Sequence, residues 1–483
     1  MLDDIIRERH KKLEALQNAG VDAYPARAKR THAIGDALGH FDALVTEGGA
    51  ISVTGRLMSV RDQGKIIFAD IEDGTGKIQI VLKDEATKDL DLWKETIDIG
   101  DFVGATGVPF ETKRGEKSVE VCELQMLSKS LLPLPDKHAG IEDDEIRLRQ
   151  RYLELITNPV TREMFKKKSV FWATVRDFLK HEDFMEVETS VLEPMAGGAE
   201  AEPFKTHHNT LDTDFHLRIS LELQLKRLIV GGFDKIFEIG RVFRNEGIDR
   251  DHLQDFTFME CYWAYHDYRD MMALMEKMYK KIIEATCGTL KTEWQGNEID
   301  WSGTWPEVDY VSAFKLENGF DPTEASREDL ITRAKELDLK LEPNIERGRL
   351  IDLIYKKTVR PKLIQPCFLT GTPTIVSPLS KASRENPAIA ERFQIVACGS
   401  ELCNGYSELN DPIDQRARFE AQMKLRAAGD AEAMPLDEDF LTALSYGMPP
   451  TTGLGMSERV FAILMDKPVR ETVFFPLMRP KGK

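Results

Sequence analysis

The chain has 483 residues, 42% of them hydrophobic and 30% charged, with 65 Lys and Arg against 82 Asp and Glu for a net charge of −17. At about 150 residues per domain, this is room for about two to four domains of ordinary globular composition. The acidic balance excludes a uniformly basic nucleic-acid coat but leaves space for one local basic face.

No run reaches about 18 uninterrupted apolar residues, so no membrane-spanning helix is expected. The opening MLDDIIRERHKKLEALQ is charged from its third residue and lacks the apolar centre of a secretory signal, which points to a cytoplasmic protein. The six cysteines (122, 261, 287, 367, 398 and 403) form no CxxC pair, and the ten histidines are scattered. Neither zinc nor a disulfide framework is expected, and buried free thiols are the plain reading.

The first 20 residues predict a helix, with Ile5, Ile6, Leu13 and Leu16 apolar among charges and Gly20 ending the run. Its Arg7, Arg9, Lys11 and Lys12 form a basic face that is either a solvated surface or a contact for a polyanion. Next, ISVTGRLMSV, KIIFADIED, GKIQIVLK, DFVGATGVPFETK and KSVEVCELQML are β-rich segments divided by Gly and charged turns. Five such strands predict a small barrel of the OB type. Barrels of this kind bind oligonucleotides on aromatic platforms. Phe68 and Gln79, on consecutive strands, are candidates, although spacing alone favours a core role for Phe68.

LLPLPDKHAGIEDDEIRLRQRYLEL starts as a Pro-rich linker and ends as a helix, which places a domain boundary near residue 135. The expected organisation is residues 1–50 as N-terminal helix and lead-in, 51–134 as barrel, and 135–483 as one large α+β domain. Within that domain FWATVRDFLKHE predicts a helix leading to the strand FMEVET. KIFEIGRVFR and DFTFMECYWAY predict paired strands joined by a charged loop. SREDLITRAKELDLKL and RGRLIDLIYKK predict helices, and TTGLGMSERVFAILM a Gly-rich strand entering a helix.

Three clusters carry chemistry. In the first, Phe243-Arg244-Asn245-Glu246-Gly247 is followed by Asp249, Arg250, Asp251 and His252, then by Asp255 to Glu260. A planar guanidinium grips phosphate bidentately, a carboxylate accepts from an adenine amino group, and Phe stacks on the ring. The plainer alternative is a charged hairpin turn. In the second, residues 400–410, Glu401 and Glu408 are an odd number apart and share a side only if the strand bends, for which Asn404-Gly405 offers the place. Two carboxylates together suggest Mg²⁺, and apart they are solvated charges. In the third, Gly453-Leu454-Gly455-Met456-Ser457-Glu458-Arg459 lets a ligand approach the backbone and opens a helix with an Arg that reaches phosphate. It matches neither a dinucleotide fingerprint nor a P-loop.

In this order, behind an OB-like barrel, the clusters resemble class II aminoacyl-tRNA synthetases, most closely the lysyl-tRNA synthetases of bacterial type. GRLMSVRDQGK, LLPLPDK, RLRQRYLELITNP, FMEVETSVLEPMAGGAEAEPFKTHHN, LRISLELQLKRLIVGGFDKIFEIGRVFRNEGI and NGYSELND carry the likeness over nearly the whole chain. The resemblance implies an α+β fold: an OB-fold anticodon-binding barrel, then a class II catalytic domain with an antiparallel sheet flanked by helices. It implies a homodimer that uses ATP, Mg²⁺, L-lysine and tRNA(Lys), forming lysyl-adenylate and passing lysine to the tRNA 3′ end. By similarity Arg244 holds the substrate carboxylate and the α-phosphate, Glu246 reads the adenine amino group, His252 approaches the outer phosphates and Phe256 stacks on the base. Arg459 sandwiches adenine and meets the γ-phosphate, while Glu401 serves ATP and, with Glu408, the metal.

A lysine side chain needs a buried carboxylate, because an unpaired buried charge costs several kcal/mol. The acids nearest the expected pocket are Glu222, Glu260 and Glu408, with Tyr262, Asn404 and Tyr406 as polar partners. By similarity Glu408 and Tyr262 meet the ε-amino group and Glu222 the α-amino group. An aspartate- or asparagine-specific relative would carry an SPQ-like stretch where this chain has Ser220-Leu221-Glu222. In the barrel, Phe68, Gln79 and Glu116 match anticodon-reading positions, and Arg61 is a further candidate.

Four positions depart from the family pattern: Ser190 where a Pro usually follows EVET, Gln394 where an acid is usual, a motif 3 segment shorter by one residue, and Glu202 where relatives often carry Arg. Two rivals follow, a binding protein on the synthetase scaffold and a ligase that lysylates a protein. The retained clusters oppose the first and the intact barrel opposes the second.

Overall fold

Five strands with one apolar face each can remove that face from water by closing on themselves. Strands β1 (Ile51–Asp62), β2 (Ile66–Glu72), β3 (Lys77–Lys83), β4 (Phe102–Glu111) and β5 (Lys117–Ser128) do so, in the order β1-β2-β3-β5-β4. The β3–β5 pair is parallel and the others are antiparallel. Alternate residues point inward, among them Ile67, Ala69 and Ile71 on β2 and Ile78, Ile80 and Leu82 on β3. The computed structural model describes residues 2–135, 143–247, 252–341, 345–427 and 434–480, and the chain divides into two units, Met1–Glu142 and Asp143–Lys483.

The first 50 residues belong to the barrel's own unit. Helix α1 (Leu2–Asn18) sends Leu16 into the barrel core, as α2 (Leu90–Thr96) does with Leu90 and Trp93. Of the two readings of α1, the structure favours the surface helix packed on its neighbour: Arg7 and Lys11 are exposed, but Arg9 is not part of a basic face. Arg9 is buried and donates to the carbonyls of Ser130, Leu132 and Ile99, at 2.9 Å each. Arg7, Lys11 and Lys12 pair with Asp4, Glu8 and Asp98. Carbonyl acceptors and neighbouring acids thus absorb the charges that a helical wheel assigns to a polyanion.

The second unit is built on an eight-stranded sheet. Its strands are β6 (Met185–Glu186), β7 (Lys235–Phe243), β8 (Asp255–Ala264), β9 (Glu307–Asp309), β10 (Cys367–Thr370), β11 (Arg392–Ala397), β12 (Ser400–Ser407) and β13 (Thr451–Ser457), ordered β9-β10-β11-β12-β13-β8-β7-β6. Only the outermost pairs are parallel. Helix α3 (Pro159–His181) covers one face. Asn158 caps it by accepting from the N–H groups of Val160 and Thr161, and Pro159 fills a first-turn position that needs no donor. Phe171, Val175 and Leu179 of α3 join Met271, Met275 and Met278 of helix α5 (Tyr268–Cys287) in the largest core; α4 (Glu222–Val230) lies in the cluster of the opposite face.

At Ser190, where a Pro usually follows EVET, the chain is anchored through the residue before it. The Thr189 N–H and hydroxyl donate to Glu238 at 3.1 and 2.7 Å, and Glu238 pairs with Arg218 at 2.6 Å. Four of the six thiols are buried as expected, whereas Cys122 is exposed on β5 and Cys287 is half-buried. Among the described residues no helix is long and apolar enough to cross a membrane.

Gly107 sits at a register shift of β4, where an added Cβ would lie 1.9 Å from the Glu120 carbonyl oxygen. That neighbour is backbone and cannot rotate away. Gly107→Ala should destabilise the barrel by about 1–3 kcal/mol, measured as a lower denaturation midpoint.

Candidate active site

The alternation of β8 makes the site. Met259 and Cys261 point into the core, while Phe256, Phe258, Glu260 and Tyr262 line a cleft of ≈ 320 Å³ on the other face. Across from Glu260 and Tyr262, β13 offers no side chains: Gly453 pairs with Tyr262 and Gly455 with Glu260. A Cβ at Gly453 would meet Glu408 Oε1 at 2.3 Å and the Tyr262 ring at 2.4 Å, so glycine is required for this close approach.

At one end of the cleft the three predicted acids come together. Glu260 is 3% exposed and accepts from Ser220 Oγ at 2.6 Å, the Leu221 N–H at 2.9 Å and the Tyr262 hydroxyl at 2.9 Å. Burial, and then the charge of Glu222, push its pKa up to about 7. Glu222 opens α4 and accepts from the Tyr406 hydroxyl at 2.7 Å. Glu408 is 1% exposed, and burial holds its pKa well above the usual carboxylate range. One turn along α4 from Glu222, Lys226 is fully buried, donates to Glu222 at 2.6 Å and forms an ion pair with Glu408. Its ammonium lies 5.6 Å from the Tyr406 ring and 5.9 Å from that of Phe440. Burial opposes the charge on Lys226, but Glu222 and Glu408 outweigh it and raise the pKa. Sequence reasoning missed this residue. Its only signal was the Glu-to-Lys spacing of four along a helix.

Arg244 ends the β7–β8 hairpin. Its N–H donates to the Gln254 carbonyl at 2.8 Å, its Nε to the Ile219 carbonyl at 3.3 Å, and its guanidinium lies 5.3 Å from the Phe256 ring. Burial lowers its pKa from a value far above neutrality, so it stays charged. Glu246 is half-buried on the cleft wall and His252 is exposed beside it; Asp249, Arg250 and Asp251 lie outside the described residues. Glu202 takes part through its backbone, accepting the Asn245 N–H at 2.7 Å, and nothing explains its side chain. Arg459 lines the cleft at the start of α6 (Arg459–Leu464), directly after β13, so the shorter motif still delivers its arginine there.

The second cluster is corrected in one respect. Residues 404 and 405 lie inside β12 and do not bend it; the irregularity falls earlier, where Ile395 faces Cys403 but Val396 faces Glu401. This bulge leaves Leu402 as an extra residue and reverses the alternation. Glu401 therefore lines the same cleft as Asn404, Tyr406 and Glu408.

The four do not converge on a metal cradle. Among the described residues no three His, Cys, Asp or Glu side chains are grouped to hold an ion. Glu408 pairs with Lys226 through Oε2, and the single oxygen left beside that ammonium suits a cationic ligand group and not a metal. Glu401 accepts from the Gln394 amide at 2.6 Å and fits a single contact to a cation that arrives with another ligand.

On the barrel, Phe68 is half-exposed on the outer face, opposite exposed Arg61 on β1 and Val81 on β3. Gln79 lies one row along the same face, opposite Asp70, and accepts from Ser118 Oγ at 3.1 Å. Glu116 is exposed in the β4–β5 turn, two residues before Ser118. Phe68 thus stands on the outer face and not among the residues of the barrel core.

Removing one partner of a buried ion pair leaves the other charge uncompensated. Lys226→Met should destabilise the second unit by about 3–5 kcal/mol, measured by chemical denaturation.

Comparison with known proteins agrees with this geometry. The family model described as tRNA synthetases class II (D, K and N) matches residues 143–479, and that of the OB-fold nucleic acid binding domain matches residues 51–127. The lysine–tRNA ligase of Moorella thermoacetica is 45% identical over 99% of this chain and 98% of its own. That of a Roseiflexus species is 45% identical over 99% of both chains. The Thermotoga maritima enzyme is 44% identical over 100% of this chain and 97% of its own. With a family model covering the second unit and relatives matching end to end, the chain belongs to the class II tRNA synthetases of the D, K and N group.

Proposed function

We propose that this chain activates L-lysine with ATP to lysyl-adenylate and transfers the lysyl group to the 3′ end of tRNA(Lys). The observation that carries the reading is the charge in the buried end of the cleft. When all are ionised, Glu222, Glu260 and Glu408 carry three negative charges against one positive on Lys226, so −3 + 1 leaves −2; burial raises the pKa of Glu260 and of Glu408, so a cationic ligand is what completes their ionisation. Two negative charges beside a cationic Arg244 complement a ligand with two ammonium groups and one carboxylate. Lysine has that constitution, and the relatives above are named for it.

In this reading Arg244 holds the lysine carboxylate against the α-phosphate while Phe256 and Arg459 enclose the adenine. Glu246 accepts from its amino group and His252 faces the outer phosphates. A carboxylate oxygen attacks the α-phosphorus as the bond to pyrophosphate breaks. The tRNA hydroxyl then attacks the acyl carbon and AMP leaves. No protein nucleophile is required, since guanidinium groups placed where charge develops supply the catalysis. Mg²⁺ brought with ATP would neutralise phosphate charge and meet Glu401. Glu408 and Tyr262 hold the ε-ammonium, Glu222 the α-ammonium, and Asn404, Tyr406 and Glu260 complete the pocket. The barrel reads the anticodon with Phe68, Gln79, Glu116 and Arg61. A homodimer acting in the cytoplasm belongs to the same reading.

ATP–pyrophosphate exchange with each of the twenty amino acids tests it, and exchange supported by an amino acid other than lysine would contradict it. Arg244→Ala should abolish exchange and tRNA charging together. Phe68→Ala should weaken charging by about 1–3 kcal/mol, the worth of one stacked base, and leave exchange unchanged.

The pocket also sets a pH dependence. An ammonium pairs with an ionised carboxylate and not with a neutral one. Glu260 is ionised above its pKa of about 7 and takes up a proton below it. The kcat/KM for lysine should therefore fall as pH drops through about 7, with a slope of about one proton. The same profile measured at saturating lysine should show a weaker decline.

A further inference from the structure

One buried ion pair in the second unit has no part in the steps above. Glu458 immediately precedes Arg459, and its side chain is 1% exposed. One of its oxygens accepts the Thr257 N–H at 3.2 Å, and the Glu458 N–H donates back to the Thr257 carbonyl at 3.3 Å. These two bonds fasten the start of α6 to β8 between Phe256 and Phe258. The other carboxylate oxygen pairs with Lys168 of α3, whose ammonium also donates to the Thr472 carbonyl at 2.7 Å. Lys168 and Glu458 are 290 residues apart in the chain. The Phe461 ring lies 5.9 Å from the ammonium, and Arg241 on β7, the next cation on that side, is paired with Asp255.

We infer that Lys168 is a positioning residue for nucleotide binding: by neutralising Glu458 it keeps that carboxylate on Thr257 and away from Arg459, the residue read as meeting the ATP phosphates. The inference rests on the reading of Arg459 as an ATP contact. A carboxylate so deeply buried does not remain ionised and in place without a cation. Without Lys168, the guanidinium next in the chain is that of Arg459. A Glu458 that turns to it releases the Thr257 N–H and draws Arg459 from the cleft. Lysine is held at the other end of the cleft, by groups that do not touch this pair.

The test is steady-state ATP–pyrophosphate exchange by the full-length protein, with KM read separately for ATP and for lysine. Lys168→Met should raise the KM for ATP by about tenfold, the size expected of a residue acting through a neighbour, and leave that for lysine within about twofold. Lys168→Arg, which keeps the charge, should restore the KM for ATP. Adding Glu458→Gln to Lys168→Met removes the stranded charge and should recover most of the loss. If Lys168→Met does not fold, Lys168→Gln is read by the same split. Equal changes in both KM values, or a fall in thermal midpoint with both unchanged, would overturn the inference and leave the pair with a structural role. Arg459→Ala separates the two levels. Should it leave the KM for ATP unchanged, the reading of Arg459 fails whatever Lys168 does. If it raises that KM and Lys168→Met does not, only the present inference falls.

Discussion

The strand β8 runs through the middle of the second unit's sheet, and its period of two divides two incompatible environments. Met259 and Cys261 are packed in the largest apolar core, while their neighbours Phe258, Glu260 and Tyr262 face the cleft. A single backbone thus faces the largest apolar core on one side and the buried acids of the cleft on the other. This requires the opposite strand to stay out of the way, which the glycines of β13 do. The rigid side of the strand fixes the geometry of the working side, because a shift of one residue would exchange them completely.

Three carboxylates gathered in so small a volume would repel one another without compensation. The chain meets this by placing Lys226 one helical turn from Glu222, where its stem is packed and its ammonium reaches Glu408 as well. The cost of burying four charges is offset only when each has a partner. A pocket that is acidic but already part-compensated can stay folded while empty. It also retains an unmet charge that a ligand can complete.

Much of this architecture was legible in the chain itself. The five barrel strands and the β7–β8 pair announce themselves by alternation and by the turns between them, whereas Arg244 and Arg459 gain their roles from the family resemblance more than from the residue types around them. What was not legible depends on contacts between distant segments. Lys168 on a helix of mixed charge gives no sign that it meets Glu458, and Arg9 looked like surface because helical periodicity cannot reveal three carbonyl oxygens waiting on the barrel. Spacing alone favoured the core for Phe68 for a related reason: a barrel strand has one inward side, and only its closure shows which residues take it. The pairing of Glu401 with the other cleft residues was anticipated, but for the wrong backbone cause.

That cause has a consequence for how the catalytic sheet can change over time. Because the bulge at Leu402 brings Glu401 to the side that Asn404, Tyr406 and Glu408 occupy, their shared placement depends on the number of residues between them and not only on their identity. Substitutions along β12 alter one contact each and can be compensated singly. Loss of the extra residue, Leu402, would leave the pairs on either side in register, whereas loss or gain of one residue between Cys403 and Tyr406 would break the alternation that keeps Tyr406 in the cleft and Cys403 in the core. The length of this stretch, and not only its composition, thus decides which side chains reach the cleft.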